Sequence, residues 1–556
     1  MLMASLIKKK SKYSTYYVIA ESKRVDGKPR IVKQWYLGTI EKLIELAEGG
    51  GTREEVRQID CVDEGGVAAL SKIADEIGVR EIVNSICSKR KQGMTVGDYV
   101  LIAALNRALA ATSKSKLKEW VDSTALHLYL PLESEKLDSQ NFWDHFDKLD
   151  ADKVERIGDA IAMRVAQLEK IDLDCLVYDT SNYFNYWDVT TPSDLAKMTK
   201  SKAGKDQLRH IGLATAVDRT WGIPLFHRLY PANEHDSKVF YRLIDGIFQQ
   251  INQTTSDKKG VTFVFDKGNN SDELIQKLDE SRHHFIGTRS PYHHKELCRV
   301  SLGDYADIVL DENETVKAFE TRLDLYGRTR RVIVTHNQAT YSRQLHRLER
   351  HVEQAKSELS FFKRRAKEAD GRSTIESIQR QADEILQHHR VQGLLKIEVE
   401  ETERGFKVSA RQDFPAIEDA KTRLGKQIIF TNRESLTMGE VITAYRDRAV
   451  VEDVFRITKS DRWVKMDPAF HWTDSKIRVH ALTCMIALLL VRVAHKRARQ
   501  NGFLQGTERM LELLSGVRSA MMFYPKSSKP HRMLCSISTE QQELLTKLGC
   551  QIKNSR

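Results

Sequence analysis

The chain has 556 residues, enough for more than one domain and for a sizeable buried core. Hydrophobic residues make up 41% and charged residues 30%, the balance of a soluble globular protein rather than a disordered or fibrous one. The formal net charge of +11 is a dispersed basic excess that suits a polyanionic partner, because each neutralised phosphate releases counterions.

Seven cysteines, Cys61, Cys87, Cys175, Cys298, Cys484, Cys535 and Cys550, are scattered and never spaced as C-x-x-C. That pattern argues against a disulfide framework or structural zinc and for a reducing cytosol. The N-terminus MLMASLIKKKSK lacks the apolar core of a signal peptide. The longest apolar run, Ala481 to Val491, is too short to span a bilayer and reads as a buried helix. A cytoplasmic protein without membrane contact is expected.

In chain order, residues 1–60 hold a β-hairpin: YSTYYVIAESKRVDGKPRIVKQWYLGTI alternates aromatic and β-branched residues around a turn with Asp26-Gly27 at its tip. Residues 61–170 read as mainly helical, with Thr95 as an N-cap for VGDYVLIAALNRALA. Lys114, Lys116 and Lys118, close to Trp120, are candidate phosphate contacts there. From residue 171 short apolar runs take over: DCLVYDTSNYF, two strands joined by a turn at Arg219 to Gly222, a helix over SKVFYRLIDGIFQQI, the strand VTFVFD, a helix and the strand HHFIGTR. Three strands in meander order followed by alternating helices and strands predict a mixed α/β sheet over 171–290 and 428–495.

Residues 291–427 break this texture and read as an α+β insertion: a β-hairpin turning at Gly327, a helical hairpin and a second β-hairpin. The helical hairpin shows apolar positions at alternating steps of 3 and 4, from Leu345 to Ala366 and again from Ile375 to Ile385, joined near Gly371. Phe361 and Phe362 fit that stripe as core. Residues 496–556 form a C-terminal region for DNA or dimer contacts.

The chemistry gathers in ITAYRDRAVVEDVFRITKSD, where Tyr445, Arg448, Glu452 and Lys459 follow at intervals of 3, 4 and 7 residues. On one continuous helix, at about 100° per residue, all four side chains fall within roughly a sixth of a turn. Asp179 closes CLVYD and Asp266 closes VTFVFD, so both carboxylates are expected beside each other at the end of the sheet. With Glu452 they make an oxygen-only donor set suited to Mg²⁺ or Mn²⁺, and a pair of such ions supports in-line displacement at phosphorus. Downstream, His471 and His480 read as DNA contacts, packing residues or metal ligands, near Arg462, Pro468, Trp472 and Arg478.

These motifs resemble those of the DDE transposases of bacterial and archaeal insertion sequences, in the large branch with a Y-x₂-R-x₃-E-x₆-K signature. Tyr445, Arg448, Glu452 and Lys459 match that signature without a gap, Asp266-Lys267-Gly268 matches its D-x-G element, and Asp179 matches the first-strand aspartate. The resemblance covers about residues 170–495 and implies a ribonuclease-H-like catalytic core split by the insertion, with the mainly helical 61–170 segment binding DNA ends. It implies Asp179, Asp266 and Glu452 as catalytic metal ligands for two Mg²⁺ ions (Mn²⁺ substituting), with Tyr445, Arg448 and Lys459 on DNA phosphates. The insertion contains no tryptophan, so Trp463, just past the signature, is the candidate platform for a flipped base. Double-stranded DNA, as transposon ends and target, and a homodimer on that DNA are the expected partners. A metal-dependent nuclease without strand transfer, or an idle DNA-binding factor, are the alternative readings.

Overall fold

The computed structural model describes residues 3–11, 15–25, 28–49, 56–87, 93–188, 190–200, 204–254, 260–312, 314–368, 373–467, 471, 473–524 and 530–552. The expected turn at Asp26-Gly27, the joint at Gly371, and Pro468 and Trp472 lie outside these residues. The chain divides into two compact units, one of Met1–Asp63, Val517–Ile537 and Ile552–Arg556, the other of Glu64–Gly516 and Ser538–Gln551.

In the first unit the expected hairpin is β2 (Thr15–Val25) with β3 (Lys28–Gly38), and β1 (Met3–Lys10) adds a third antiparallel strand on β2. A helix over Ile40–Gly49 packs on β2 and β3. A second sheet pairs β4 (Gln58–Asp63) with Arg518–Phe523, which pairs in turn with His531–Leu534. The C-terminal region expected as one piece is therefore divided, its helix Thr539–Lys547 belonging to the second unit.

In the second unit Thr95 caps the helix Val96–Leu109: its side chain accepts from the Asp98 amide, and the Asp98 carboxylate accepts from the Thr95 amide. This helix, with Gly65–Ile77 and Ala151–Leu168, packs around the helix Asp474–Gln500. The latter contains the Ala481–Val491 run and is long and apolar enough to cross a membrane, yet nearly all of that stretch is buried inside the protein. Its charged end obeys the same burial logic. Lys496 and Arg497 both pair with the buried Glu169, at 2.9 and 2.7 Å, because a charge in the interior is stable only with a partner.

A ten-stranded mixed sheet fills the middle of this unit. It begins with β5 (Cys175–Asn185), β6 (Lys197–Met198), β7 (Arg209–Asp218) and β8 (Pro224–Pro231). It continues with β9 (Thr262–Val264), β10 (His284–Arg289), β11 (Ala306–Asp311), β12 (Glu314–Leu325) and β13 (Arg328–His336). After the inserted strands β14 (Leu395–Thr402) and β15 (Gly405–Gln412), β16 (Lys426–Thr431) completes it. The order is β11-β12-β13-β16-β10-β9-β5-β7-β6, with β8 also on β7. Among the described strands only the β5–β9 and β9–β10 pairs are parallel.

This order corrects the insertion boundary. The β12–β13 hairpin, assigned from sequence to the insertion, is hydrogen bonded to β16 and so extends the main sheet. Val332, Ile333 and Val334 are fully buried in succession, the pattern of a strand covered on both faces. What projects as a separate block is the 30-residue helix Gln338–Lys367, the helix Ile375–His388 and the β14–β15 pair. Its core joins Val352, Ala355, Leu359, Phe362 and Ala366 to Ile378, Ala382, Leu386, Phe406 and Val408. Phe362 is core as expected, but Phe361 is 62% exposed with the Arg364 guanidinium 4.8 Å above its ring. One residue along a helix turns a side chain about 100°, off the apolar stripe.

Candidate active site

The parallel ladder builds the site. Val177 on β5 stands opposite Val264 on β9, which stands opposite Ile286 on β10. Two residues beyond each come Asp179, Asp266 and Thr288, so all three start from one register row and leave the sheet on the same face. Asp179 is not the end of its strand, as the sequence suggested: β5 runs on to Asn185, paired through that stretch with β7. The strand that stops is β9. Asp266 opens a 3₁₀ turn over Lys267–Asn269, and the Asn270 side chain ties that turn to the Thr288 carbonyl at 2.8 Å.

The Tyr445–Lys459 segment is not one helix. A helix over Met438–Arg446 ends at Asp447, Arg448 sits in the break, and a second helix covers Ala449–Thr458. The amides of Arg448, Val450 and Val451 each reach back three residues rather than four, the tightening that separates the two helices. The four signature residues consequently do different things.

Tyr445 is buried, and its hydroxyl lies 3.3 Å from Asp266 Oδ1 and 3.3 Å from Thr288 Oγ1, while Thr288 lies 3.4 Å from the same carboxylate oxygen. Burial pushes the Tyr445 phenol above its usual pKa, so it stays a donor to Asp266 rather than a surface contact for phosphate. Arg448 spans two acids: one guanidinium nitrogen is 2.9 Å from Glu452 Oε1 and the other 3.7 Å from Asp179 Oδ2. Burial pulls its pKa down, but Tyr445, Asp266, Asp179 and Glu452 outweigh burial and hold it above the usual value. Its Nε finds no hydrogen-bond partner among the described residues. Glu452 keeps a side chain 60% exposed on the first turn of its helix. Lys459 falls just past the end of that helix, its ammonium 5.1 Å over the Tyr183 ring of β5.

The second helix is seated by two contacts. Gly222, with φ +65° in the β7–β8 turn, lets Val450 and Val454 approach; a Cβ there would stand 2.8 Å from Val450 Cγ2. Beside that contact Asp453 pairs with the buried Arg492 at 2.5 Å. Among the described residues no three His, Cys, Asp or Glu side chains stand together as a ready metal cage. The donors are nonetheless chemically apt for a hard cation: all oxygen, two of them fixed in one register row, the third sharing a cation with the first.

Trp463 is corrected from platform to core. It is 3% exposed, and the following Val464 and Lys465 adopt left-handed φ values of 58° and 41°. The Val464 amide donates to the Arg107 carbonyl at 2.8 Å and the Arg107 guanidinium donates to the Lys465 carbonyl at 3.3 Å, holding the strained turn closed. His471 and His480 resolve as packing: their rings lie 4.6 Å apart, His471 also meets Trp143, and burial lowers both pKa values, His471 to about 3. Lys114 is buried, its pKa lowered by burial to about 7, and Lys118 pairs with Asp122. Thr288 is the residue the sequence reading missed. Its signal was there, since HHFIGTR places a hydroxyl two residues beyond Ile286 as VTFVFD places a carboxylate beyond Val264, but only the ladder shows the equivalence.

No curated protein matches the chain. Among solved structures, a piggyBac transposase synaptic complex with hairpin DNA aligns at 8% identity and a TM-score of 0.37, over 81% of this chain and 78% of that one. A Mos1 transposase paired-end complex with the left transposon end aligns at 11% identity and a TM-score of 0.14, over 35% and 59%. Both scores lie below the level at which a shared fold follows. The profile of the transposase DDE domain matches residues 187–490, just over half of the chain, spanning Asp266 and the whole signature and beginning eight residues after Asp179. The chain belongs to the transposase DDE domain family.

Proposed function

We propose that this chain is a cut-and-paste DNA transposase with a ribonuclease-H-like core, cleaving at the ends of an insertion sequence and joining the freed 3′-hydroxyl to target DNA. The observation that carries the reading is the shared register row of Asp179 and Asp266, faced by Arg448 and Glu452. Asp179, Asp266 and Glu452 are the residues that would hold Mg²⁺ or Mn²⁺, two ions being expected. Bound there, the ions would activate the attacking oxygen and stabilise the leaving one.

The chain's own residues supply the rest. Tyr445 and Thr288 both approach Oδ1 of Asp266 and orient its carboxylate. Arg448 keeps Asp179 and Glu452 compensated until a phosphate draws its guanidinium away, the exchange that a fork-shaped donor makes readily. Lys459 adds a positive charge beyond the helix end, where a backbone phosphate would pass. Double-stranded DNA, as ends and target, is the proposed substrate. A homodimer on DNA follows from the need to hold two ends together, and a cytoplasmic, nucleoid-associated location from the composition.

Incubating the protein with end-bearing donor DNA, Mg²⁺ and a target plasmid tests this reading. Joined products are expected, and Glu452→Gln is expected to bind ends without cutting them. Cleavage with no joined product would leave a nuclease, and normal cutting by Glu452→Gln would remove the metal site.

A further inference from the structure

The basic excess is less evenly spread than the overall composition suggests. Residues 1–38 hold nine Lys/Arg against two Asp/Glu, a surplus of 9 − 2 = +7 out of the +11 of the whole chain. These residues are not a loose tail; they contain the three-stranded sheet β1-β2-β3. Of the candidate lysines in the helical segment, Lys114 is buried and Lys118 is paired with Asp122, which leaves Lys116 exposed.

Register assigns the side chains of the sheet to two faces, because cross-strand partners share a face and neighbours along a strand alternate. Leu6 pairs with Ile19 and Ile19 with Trp35, giving one apolar row across all three strands. The opposite face carries Val18 and Ala20, at 3% and 0% exposure, and is packed along the central strand, while Tyr36 on its β3 side stays exposed. On the first face Leu6 is 60% exposed and Trp35 42%. Exposed lysines flank the row on both sides, Lys8 and Lys10 towards one end of the strands and Lys33 towards the other. Lys33 already lies 4.8 Å over the Trp35 ring, and exposed Lys23 and Arg30 face each other further along. Glu21 is the one acidic side chain among the described residues of this sheet.

We propose that this face binds single-stranded nucleic acid, with an unpaired base stacked on Trp35 beside Leu6 and Ile19, and phosphates on Lys8, Lys10 and Lys33. The charge surplus selects a polyanion. The apolar row selects one whose base faces are open, since a duplex presents sugars and phosphates outward and keeps its π-faces stacked inside. Such binding requires no cleavage chemistry.

Binding of the full chain to labelled oligothymidine and to a duplex of equal length is measured by fluorescence anisotropy over a range of salt concentrations, without divalent metal. Tighter binding of the single strand is expected. Trp35→Ala should weaken it roughly tenfold, within the usual worth of one stacked base, while Trp35→Phe keeps most of it. Lys8→Gln with Lys10→Gln should make the slope of log affinity against log salt shallower by about 0.7 for each phosphate left without its lysine. Unchanged single-strand affinity in Trp35→Ala overturns the proposal. So does an equal loss of duplex binding, and so does a change in solution mass with affinity intact, which would make the face a contact between copies.

Discussion

Asp179 stands within β5 and Asp266 two residues past the end of the neighbouring parallel strand β9, both placed by that ladder, whereas Glu452 stands on a ten-residue helix that the sheet does not hold by backbone bonds. The strand acids are surrounded: Thr180 donates its amide to Asp179 at 2.8 Å, and Thr288 and Tyr445 lie against Asp266. Glu452 meets Arg448 in an ion pair and keeps a mostly exposed side chain. The difference separates two jobs. A register row cannot drift without breaking the sheet, so it fixes the position of the proposed site, while a helix seated by a glycine contact and one buried ion pair would supply its third acid.

Removing a strand acid should therefore have the largest effect. Asp179→Asn or Asp266→Asn should reduce cleavage to background while the melting temperature stays near that of the parent, checked by an end-cleavage assay beside calorimetry. Measurable cleavage by either variant would end the idea that the row positions the chemistry.

Next comes the helix seat. Gly222→Ala meets both a left-handed φ and Val450 Cγ2, and should cost about 2 kcal/mol by urea unfolding together with a loss of cleavage. Adding Val450→Ala opens that space and should recover part of both. No recovery would mean that some other contact sets the position of Glu452.

A smaller effect is expected at Thr288. Thr288→Val keeps the shape and removes one hydroxyl from Asp266, and loss of such a supporting partner lowers activity or metal affinity about 10- to 100-fold. The diagnostic result is a raised Mg²⁺ requirement with unchanged DNA binding; an unaltered metal titration would leave Thr288 as packing only.

The smallest effect is expected at Asp467, past the helix Ala449–Thr458. Burial raises the Asp467 carboxyl to about 6, with Lys459 pulling the other way. The folded state therefore holds this proton more tightly than the unfolded chain, and stability falls as pH rises from about 4 to about 6. Asp467→Asn should flatten that fall and raise stability at pH 7 by up to about 2 kcal/mol, read from denaturant midpoints at pH 5 and pH 7. A decline of the same size in the variant would place its source elsewhere.

Periodicity and end signals made much of the architecture legible. The meander of β5, β7 and β8, the helices that follow, the Thr95 capping box and the apolar stripe through Val352 and Leu359 are all written in neighbouring residues. Asp179, Asp266 and Glu452 each carry a local motif, which is why the sequence alone singles them out as the proposed donor set. Less legible was anything that needs a second segment to define it. The break at Asp447 and Arg448 interrupts a run with good helical periodicity, and Trp463 follows the signature as an exposed platform would but is packed beneath a strained turn.

Side-chain alternation, capping and composition are enough to place the strands and most helices, to single out the three acids proposed for the site and to mark the basic, aromatic character of the first 38 residues. That Thr288 shares a row with Asp179 and Asp266, that the β12–β13 hairpin extends the main sheet, and that Leu6, Ile19 and Trp35 lie side by side emerges only from pairing between strands. The physical reason is that register and burial are set by pairing between segments that can lie dozens of residues apart, whereas periodicity records only what lies within one or two turns of the same chain.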